Sequence, residues 1–502
     1  MISSASRPCA DAGNKQSGLL LWAFATPVVL LAALTLGFVN SARASQAVED
    51  SLVSGAPPAP ELPAGWTGHR LNEPVFESEL YVVEAGRGNG PTVVLIHGLG
   101  QNGLLDWWHT IEALADDHHV VALDLPGFGR TTGARGQLTP ARYARLLSWL
   151  IQDMALNNVH LVGHSMGGAV ALYHAGTYPE QVSQLVLINA AGILQRAAFL
   201  REQTEATGSA SVESLPRELA DQARRLFNWG GAFVERIGMM PDLIDLLRAS
   251  DSAWGALLGD RPNANAALGL IDTNFSSIIH NLQVPTTIIW GDRDTVSPLR
   301  TAHMLHGRLA LTDLRLVEGA AHVPMHSHRG HFFHTLRDAL ANPATAARPT
   351  LAWRGGGEDY SCENQRGQRL SGHFRRIEIH NCEIHLHDLT ATEIIMRNST
   401  VRLSHVRLQS PGTALTITNS SLVATDLEAR GEPVMRAANA RVDIAGGWLQ
   451  ASGEALRVEE QSSIIMSTSR IDSGLYRGYL HGAVRAAATR LDDARELGAT
   501  TR

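Results

Sequence analysis

Seven short runs rich in branched apolar residues recur between residues 80 and 322: LYVVEAG, PTVVLIHG, HHVVALDLPG, VHLVGHS, QLVLINAAG, TTIIWGD and LRLVEGAAH. Most run out into Gly, Asp or His. Runs that are apolar throughout, rather than alternating, suit strands buried on both faces of a mainly parallel sheet. Helical segments lie between them, for example over 139–156 and 166–177. Such alternation predicts an open, doubly wound α/β domain over 70–342, with its active groups at the strand C-termini. Residues 194–275 break the rhythm. They are rich in Leu, Arg and Glu, carry no strand-like run, and read as a helical lid over that edge.

The character changes after Asn342. Residues 343–357 look like a linker, and a weak repeat follows. In the overlay Ile394, Leu415, Met435 and Leu456 correspond, at steps of 21, 20 and 21, and a shorter unit ahead of them puts Ile377 in the same place. Each full unit has an alternating apolar triplet and a second alternating run, and Asn398, Asn419 and Asn439 mark a polar corner between the two. One unit cannot bury its own apolar face, whereas stacked units can. A β-solenoid over 358–475 is therefore expected, with a small β-sandwich as the competing reading and a C-terminal tail over 476–502.

At the other end, residues 1–17 form a basic segment with Arg7 and Lys15. Residues 18–39 are almost wholly apolar, and no charge occurs from Gln16 to Ala42. A run of about 20 apolar residues spans a bilayer as a helix. Ala42-Arg43-Ala44 also has the small-x-small form of a cleavage site, so a membrane anchor and a signal removed after Ala44 are both open. Either way the rest of the chain is expected outside the cytoplasm, with the basic end inside. Residues 45–63, rich in proline and small residues, read as a tether. Cys362 and Cys382 could pair in that setting, but no spacing requires it. The net charge of −7 is spread without long like-charge runs, and nucleic acid is not an expected partner.

The chemistry centres on Gly163-His164-Ser165-Met166-Gly167, which follows a strand and opens a helix. That context suits a nucleophile elbow, where a strained turn lifts the serine oxygen out of the chain. A serine needs a base, and the base an orienting carboxylate. Asp292 and Asp294 follow the run TTIIWG, and His322 ends LRLVEGAAH. All fall at strand C-termini on the same edge as Ser165.

These motifs, together with His97-Gly98-Leu99-Gly100 and Asp124-Leu125-Pro126-Gly127-Phe128-Gly129, resemble those of the α/β-hydrolase family over roughly 70–342. The C-terminal units resemble a right-handed parallel β-helix. The family resemblance implies Ser165 as nucleophile, His322 as base and Asp294 as the acid, with Asp292 as a turn former. It implies an oxyanion hole from the backbone N–H groups of Leu99 and Met166. His97 would brace its loop, as Gly98, Gly163 and Gly167 would serve the turns. No metal or organic cofactor is implied. His326, His328, His331 and His334 read as surface and helix positions, and His380, His385 and His387 as outward residues of strands.

The expectation is a serine hydrolase acting on a small-molecule or lipid-like ester outside the cytoplasm, held at the membrane through residues 18–39 or secreted if cleaved after Ala44. The C-terminal domain would take a glycan or protein ligand. An acyltransferase, a hydrolase of carbon–carbon or thioester bonds, and a non-catalytic envelope binding protein remain as alternatives.

Overall fold

The computed structural model describes residues 61–195, 198, 250–346 and 351–490. The apolar run 18–39, most of the expected lid and the last residues of the chain lie outside the described residues. Among the described residues no helix is long and apolar enough to cross a membrane.

Eight strands build the first sheet: β1 (Thr67–Glu73), β2 (Ser78–Ala85), β3 (Thr92–Ile96), β4 (His119–Asp124), β5 (Val159–His164), β6 (Gln184–Ile188), β7 (Thr286–Gly291) and β8 (Thr312–Val317). Their order is β1-β2-β4-β3-β5-β6-β7-β8. The seven apolar runs are β2 to β8. The sequence reading passes over β1 because its residues are mostly exposed at the sheet edge. β2 alone runs against the others, pairing antiparallel with β1 and β4; β3 to β8 pair in parallel. β3, β5, β6 and β7 are buried at every position, which is why they are apolar throughout. Successive strands go to one side of β3 and then to the other, so a crevice opens at the C-terminal ends beside it.

Two helices carry the inner face. Thr139 caps the first, Pro140–Asp153, by accepting the Arg142 N–H, with Pro140 in the first turn. The second, Met166–Thr177, is buried from Met166 through Leu172, as an all-round apolar helix must be. His174 ties the two: its Nδ1–H donates to the Ala144 carbonyl at 2.9 Å, and its Nε2 is buried without a partner. Burial lowers its pKa to about 4, and that of His280 likewise. Above the ordinary value of 6.5 both states of the chain hold these rings neutral. Between 6.5 and 4 only the unfolded chain takes up the proton, so stability falls as pH falls. Urea unfolding at pH 7 and pH 5 is expected to show this loss, and His174→Asn to reduce its slope by up to about one proton.

The remaining strands are β9 (Glu358–Glu363), β10 (Gln368–His380), β11 (Glu383–Arg397), β12 (Thr400–Gln409), β13 (Leu415–Thr418), β14 (Ser421–Arg430), β15 (Met435–Ala438), β16 (Arg441–Ala445), β17 (Trp448–Gln450), β18 (Leu456–Asp472) and β19 (Arg477–Arg490). All but the last pair in parallel, coil on coil. Ile377, Ile394, Leu415, Met435 and Leu456 are consecutive partners in that stack, the register the repeat implied. Tyr360 adds one more coil ahead of Ile377. A second face stacks Val401, Leu422, Val442 and Ile464. This parallel stacking excludes the β-sandwich.

The polar corner is a ladder. Asn364, Asn381, Asn398, Asn419 and Asn439 all have left-handed φ near 50°, a conformation asparagine tolerates better than other side chains. Asn381 Nδ2 donates to Asn364 Oδ1 at 2.6 Å and Asn439 Nδ2 to Asn419 Oδ1 at 2.9 Å. Just inside, the Ser399, Ser420 and Ser462 hydroxyls accept the backbone N–H groups of Cys382, Ser399 and Ala440. Cys362 and Cys382 are joined in a disulfide at the start of the stack. The expected tail needs correction: Arg477–Arg490 is a strand, β19, lying antiparallel on β18. The free N–H and C=O groups along β18 give it a partner that composition does not reveal.

The two domains are packed together. The helix Leu299–Arg308, which leaves the turn after β7, lies on the solenoid. Arg300 forks onto Asp443 with Nη1–Oδ2 2.9 Å and Nη2–Oδ1 2.7 Å, and also donates to Thr425 Oγ1 and the Ala424 carbonyl. Their side chains are 6% and 1% exposed, so this pair is sealed from water. Arg308 pairs with Asp426, whose carboxylate lies where a Cβ on Gly307 would be. Ala445 and Ile465 of the solenoid belong to the same buried cluster as Ala302, Met304 and Leu305.

Candidate active site

β5 ends at His164 and the helix begins at Met166, leaving Ser165 alone in the turn with φ 53° and ψ −120°. Such a conformation costs about 1–3 kcal/mol and persists only when its surroundings impose it. They do. A Cβ on Gly163 would lie 2.3 Å from the Gly167 carbonyl oxygen, and one on Gly167 would lie 2.1 Å from the Ile96 oxygen. On the other side a Cβ on Gly98 would lie 2.9 Å from Ser165 Cβ. No side chain fits at these places because strand, helix and the loop after β3 converge there. Gly167→Ala is therefore expected to destabilise the fold by about 3 kcal/mol or more, read as loss of soluble protein or a large drop in urea midpoint.

Ser165 Oγ is 2.9 Å from His322 Nε2, and His322 Nδ1 is 2.8 Å from Asp294 Oδ2. Because Nδ1–H donates to the carboxylate, Nε2 is left to accept the serine proton. The Asp294 side chain is fully buried, at 0% exposure, while His322 keeps 16%. Donors surround that carboxylate: Oδ1 accepts the N–H groups of Val296 and Ser297, and Oδ2 accepts Asn189 Nδ2–H at 2.6 Å. The structure thus brings Asp294 to the imidazole. Asp292 instead accepts the Gly319 N–H at 2.7 Å and ties the turn after β7 to the turn ahead of His322.

Two supports escaped the sequence reading. Asn189 holds Asp294 with its amide and accepts the Gly291 N–H with its oxygen. The signal was present: a polar residue closing an apolar strand on the edge that carries Ser165. His164 is the other. Its Nε2–H donates to the His322 carbonyl at 2.8 Å, and burial, with His322 nearby, holds its pKa well below the ordinary value. It therefore serves as a neutral donor that fixes the loop of the base.

His97 uses both ring nitrogens on backbone. Nδ1–H donates to the Gly98 carbonyl at 2.6 Å, and Nε2 accepts the Leu125 N–H at 2.9 Å. Asp124, fully buried, accepts the N–H groups of Leu104 and Arg130, and Gly103 and Gly129 leave room for its carboxylate. These contacts shape the loop that carries Leu99 past Ser165. Of the expected lid, the described part holds the helices Asp251–Leu258 and Pro262–Ile271. Asn265 anchors them, accepting from the Trp254 indole and the Leu138 N–H while donating to the Gly136 carbonyl. Of the histidines after His322, His326 Nε2–H donates to the Asp106 carbonyl at 3.1 Å. On the solenoid, His385 Nε2 is 2.9 Å from Ser404 Oγ.

Residues 91–328 match the sequence profile of the family described as alpha/beta hydrolase fold. An uncharacterized protein of Mycobacterium tuberculosis is 31% identical over 290 residues, which cover 54% of this chain and 83% of that one. The chain belongs to the α/β-hydrolase family. Another family relative, the monoacylglycerol lipase ABHD6 of Homo sapiens, is 27% identical over 246 residues, covering 47% of this chain and 71% of its own. A solved α/β-hydrolase neighbour, a hydrolase from Pseudomonas aeruginosa, is 22% identical, covers 56% of this chain and 100% of its own, and has a TM-score of 0.40. The α/β-hydrolase profile ends before the solenoid begins.

Proposed function

We propose that this α/β-hydrolase cleaves carboxylic esters through an acyl-enzyme, with Ser165 as nucleophile, His322 as base and Asp294 as the orienting acid. The observation that carries the reading is the continuous hydrogen-bonded relay from Asp294 through His322 to Ser165. Ser165 Oγ attacks the ester carbonyl as its proton passes to His322 Nε2. The oxyanion is held by the N–H groups of Met166 and Leu99, the first at a helix N-terminus. Collapse breaks the ester C–O bond, and the leaving alkoxide takes the proton from His322. Water then gives a proton to His322 and adds to the acyl carbon. The acid departs and Ser165 recovers its proton. The lipase named among the relatives supports an ester rather than an amide.

The setting belongs to the same proposal. The domain works outside the cytoplasm, tethered at or released from the membrane side. The disulfide between Cys362 and Cys382 supports this, since reducing compartments do not sustain such bonds. The apolar run 18–39 behind a basic segment supports it too.

A fluorophosphonate probe and a graded series of p-nitrophenyl esters test the chemistry. Labelling and turnover that both vanish in Ser165→Ala support it, whereas labelling that survives the substitution removes it. Maleimide trapping of protein taken directly from cells tests the setting: free thiols at Cys362 and Cys382 would speak against it.

A further inference from the structure

The junction between the domains holds a cavity of about 260 Å³, far along the Leu299–Arg308 helix from the turn that carries Asp294. One wall is a row on the solenoid: Arg407, Glu428, Trp448 and Arg470 are register partners on four adjacent coils. The opposite wall comes from the hydrolase domain and includes His280 and Arg308.

Two nitrogens in that wall are buried without a partner. Arg308, whose side chain is 9% exposed, gives its head group to Asp426 but leaves Nε–H without an acceptor. His280 donates Nδ1–H to the Ser276 carbonyl at 2.8 Å, which leaves Nε2 as a bare acceptor. A buried unmet donor and a buried unmet acceptor are each destabilising, because the water they lost is not replaced. Both residues line one cavity, so a ligand there that carries acceptors and donors together suits the pair.

The charges on the wall narrow the ligand further. Arg407 faces Glu428 at 3.2 Å, Arg470 faces Asp472 at 3.0 Å, and Arg308 faces Asp426. Every guanidinium already has its carboxylate, so an anion would have to displace one of them. A hydroxyl accepts from one side and donates to the other and displaces none. Trp448, its indole N–H given to Asp472 at 2.9 Å and its ring lying under the Arg470 guanidinium at 5.4 Å, adds an aromatic side chain to these paired charges. Hydroxyl-rich rings with apolar C–H faces complement such a wall.

We propose that this interdomain cavity binds a neutral polyhydroxylated ligand, a glycan residue, held by His280 and Arg308 on one side and by the Arg407–Glu428–Trp448–Arg470 row on the other. The site is separate from Ser165 and assembled only when both domains are docked.

The test is saturation-transfer NMR on the full chain with methyl glycosides of glucose, galactose, mannose and N-acetylglucosamine at millimolar concentration. Transfer to at least one is expected, weakened about tenfold or more in Trp448→Ala and in Arg407→Ala. Turnover of p-nitrophenyl acetate should stay unchanged in both, which shows that they are folded. Arg407 is 24% exposed, so its variant keeps the test alive if Trp448→Ala does not fold. No transfer to any of the four glycosides overturns the proposal. So does undiminished binding in folded variants, or complete competition by sulfate, which would make this an anion site.

Discussion

Ser165→Ala is expected to lower kcat/KM for a short p-nitrophenyl ester by about a millionfold. The hydroxyl is the atom that the proposed mechanism acylates, and the oxyanion donors alone leave a small residue of activity. Asp294→Asn should follow, at about ten-thousandfold in kcat by comparison with other triads. The amide can no longer hold His322 with Nδ1 protonated, so Nε2 is often the wrong tautomer to accept a proton. Asp292→Asn is the control. Among the described residues its carboxylate accepts the Gly319 N–H, which an amide oxygen can accept as well, and activity should change little. The Ser165 and Asp294 variants combined should be no worse than Ser165→Ala alone, because the groups act as one unit. Steady-state kinetics and the fluorophosphonate label decide the matter. Equal losses in Asp292 and Asp294 variants would refute the role given to Asp294.

The second large effect concerns stability. Arg300→Met leaves Asp443 charged, buried and without its fork, and the folded state is expected to lose about 3–5 kcal/mol. Asp443→Leu should lose a similar amount, since it strands the guanidinium. The double variant Arg300→Met, Asp443→Leu should recover most of the loss, because apolar groups of similar volume often replace a buried pair without penalty. Urea midpoints of the three proteins measure this. If each single change costs under about 1 kcal/mol, the pair is solvated and the interface looser than described here. The same contacts forecast what truncation does. Without the solenoid, Ala302, Met304 and Leu305 lose the cover of Ala445 and Ile465. The α/β-hydrolase domain alone should be poorly soluble.

Much of this was readable before any coordinates. The buried strands declared themselves because they have no solvent face and so no polar alternation. The solenoid declared itself through Ile394, Leu415, Met435 and Leu456, because stacked coils force equivalent residues into one register. Asp294 could be preferred to Asp292 only by family resemblance. Spacing alone does not say which carboxylate the turn sends toward His322. Asn189 and His164 were missed because their work is done through hydrogen bonds to distant parts of the chain, Asn189 to residues 105 and 102 positions away and His164 to one 158 away. Arg300 and Asp443 stand 143 residues apart, and nothing local marks either as buried. β19 was missed for a related reason: an antiparallel strand laid on a parallel stack breaks the repeat that betrays the rest.

That last strand matters for how the protein survives at high concentration. A column of parallel coils ends in an open row of amides and carbonyls, to which a neighbour's first coil could add, and another to that, as in a growing fibril. β19 crosses the final coil in the opposite sense and occupies the row from Arg457 to Asp472. At the other end, β9 offers the exposed Glu358 and Glu363, whose like charges disfavour a second copy, while Asp359 is paired with Arg375. The parallel register thus stops at β19, and acidic side chains mark the other end, which makes it harder for molecules meeting end to end to continue one another's stack.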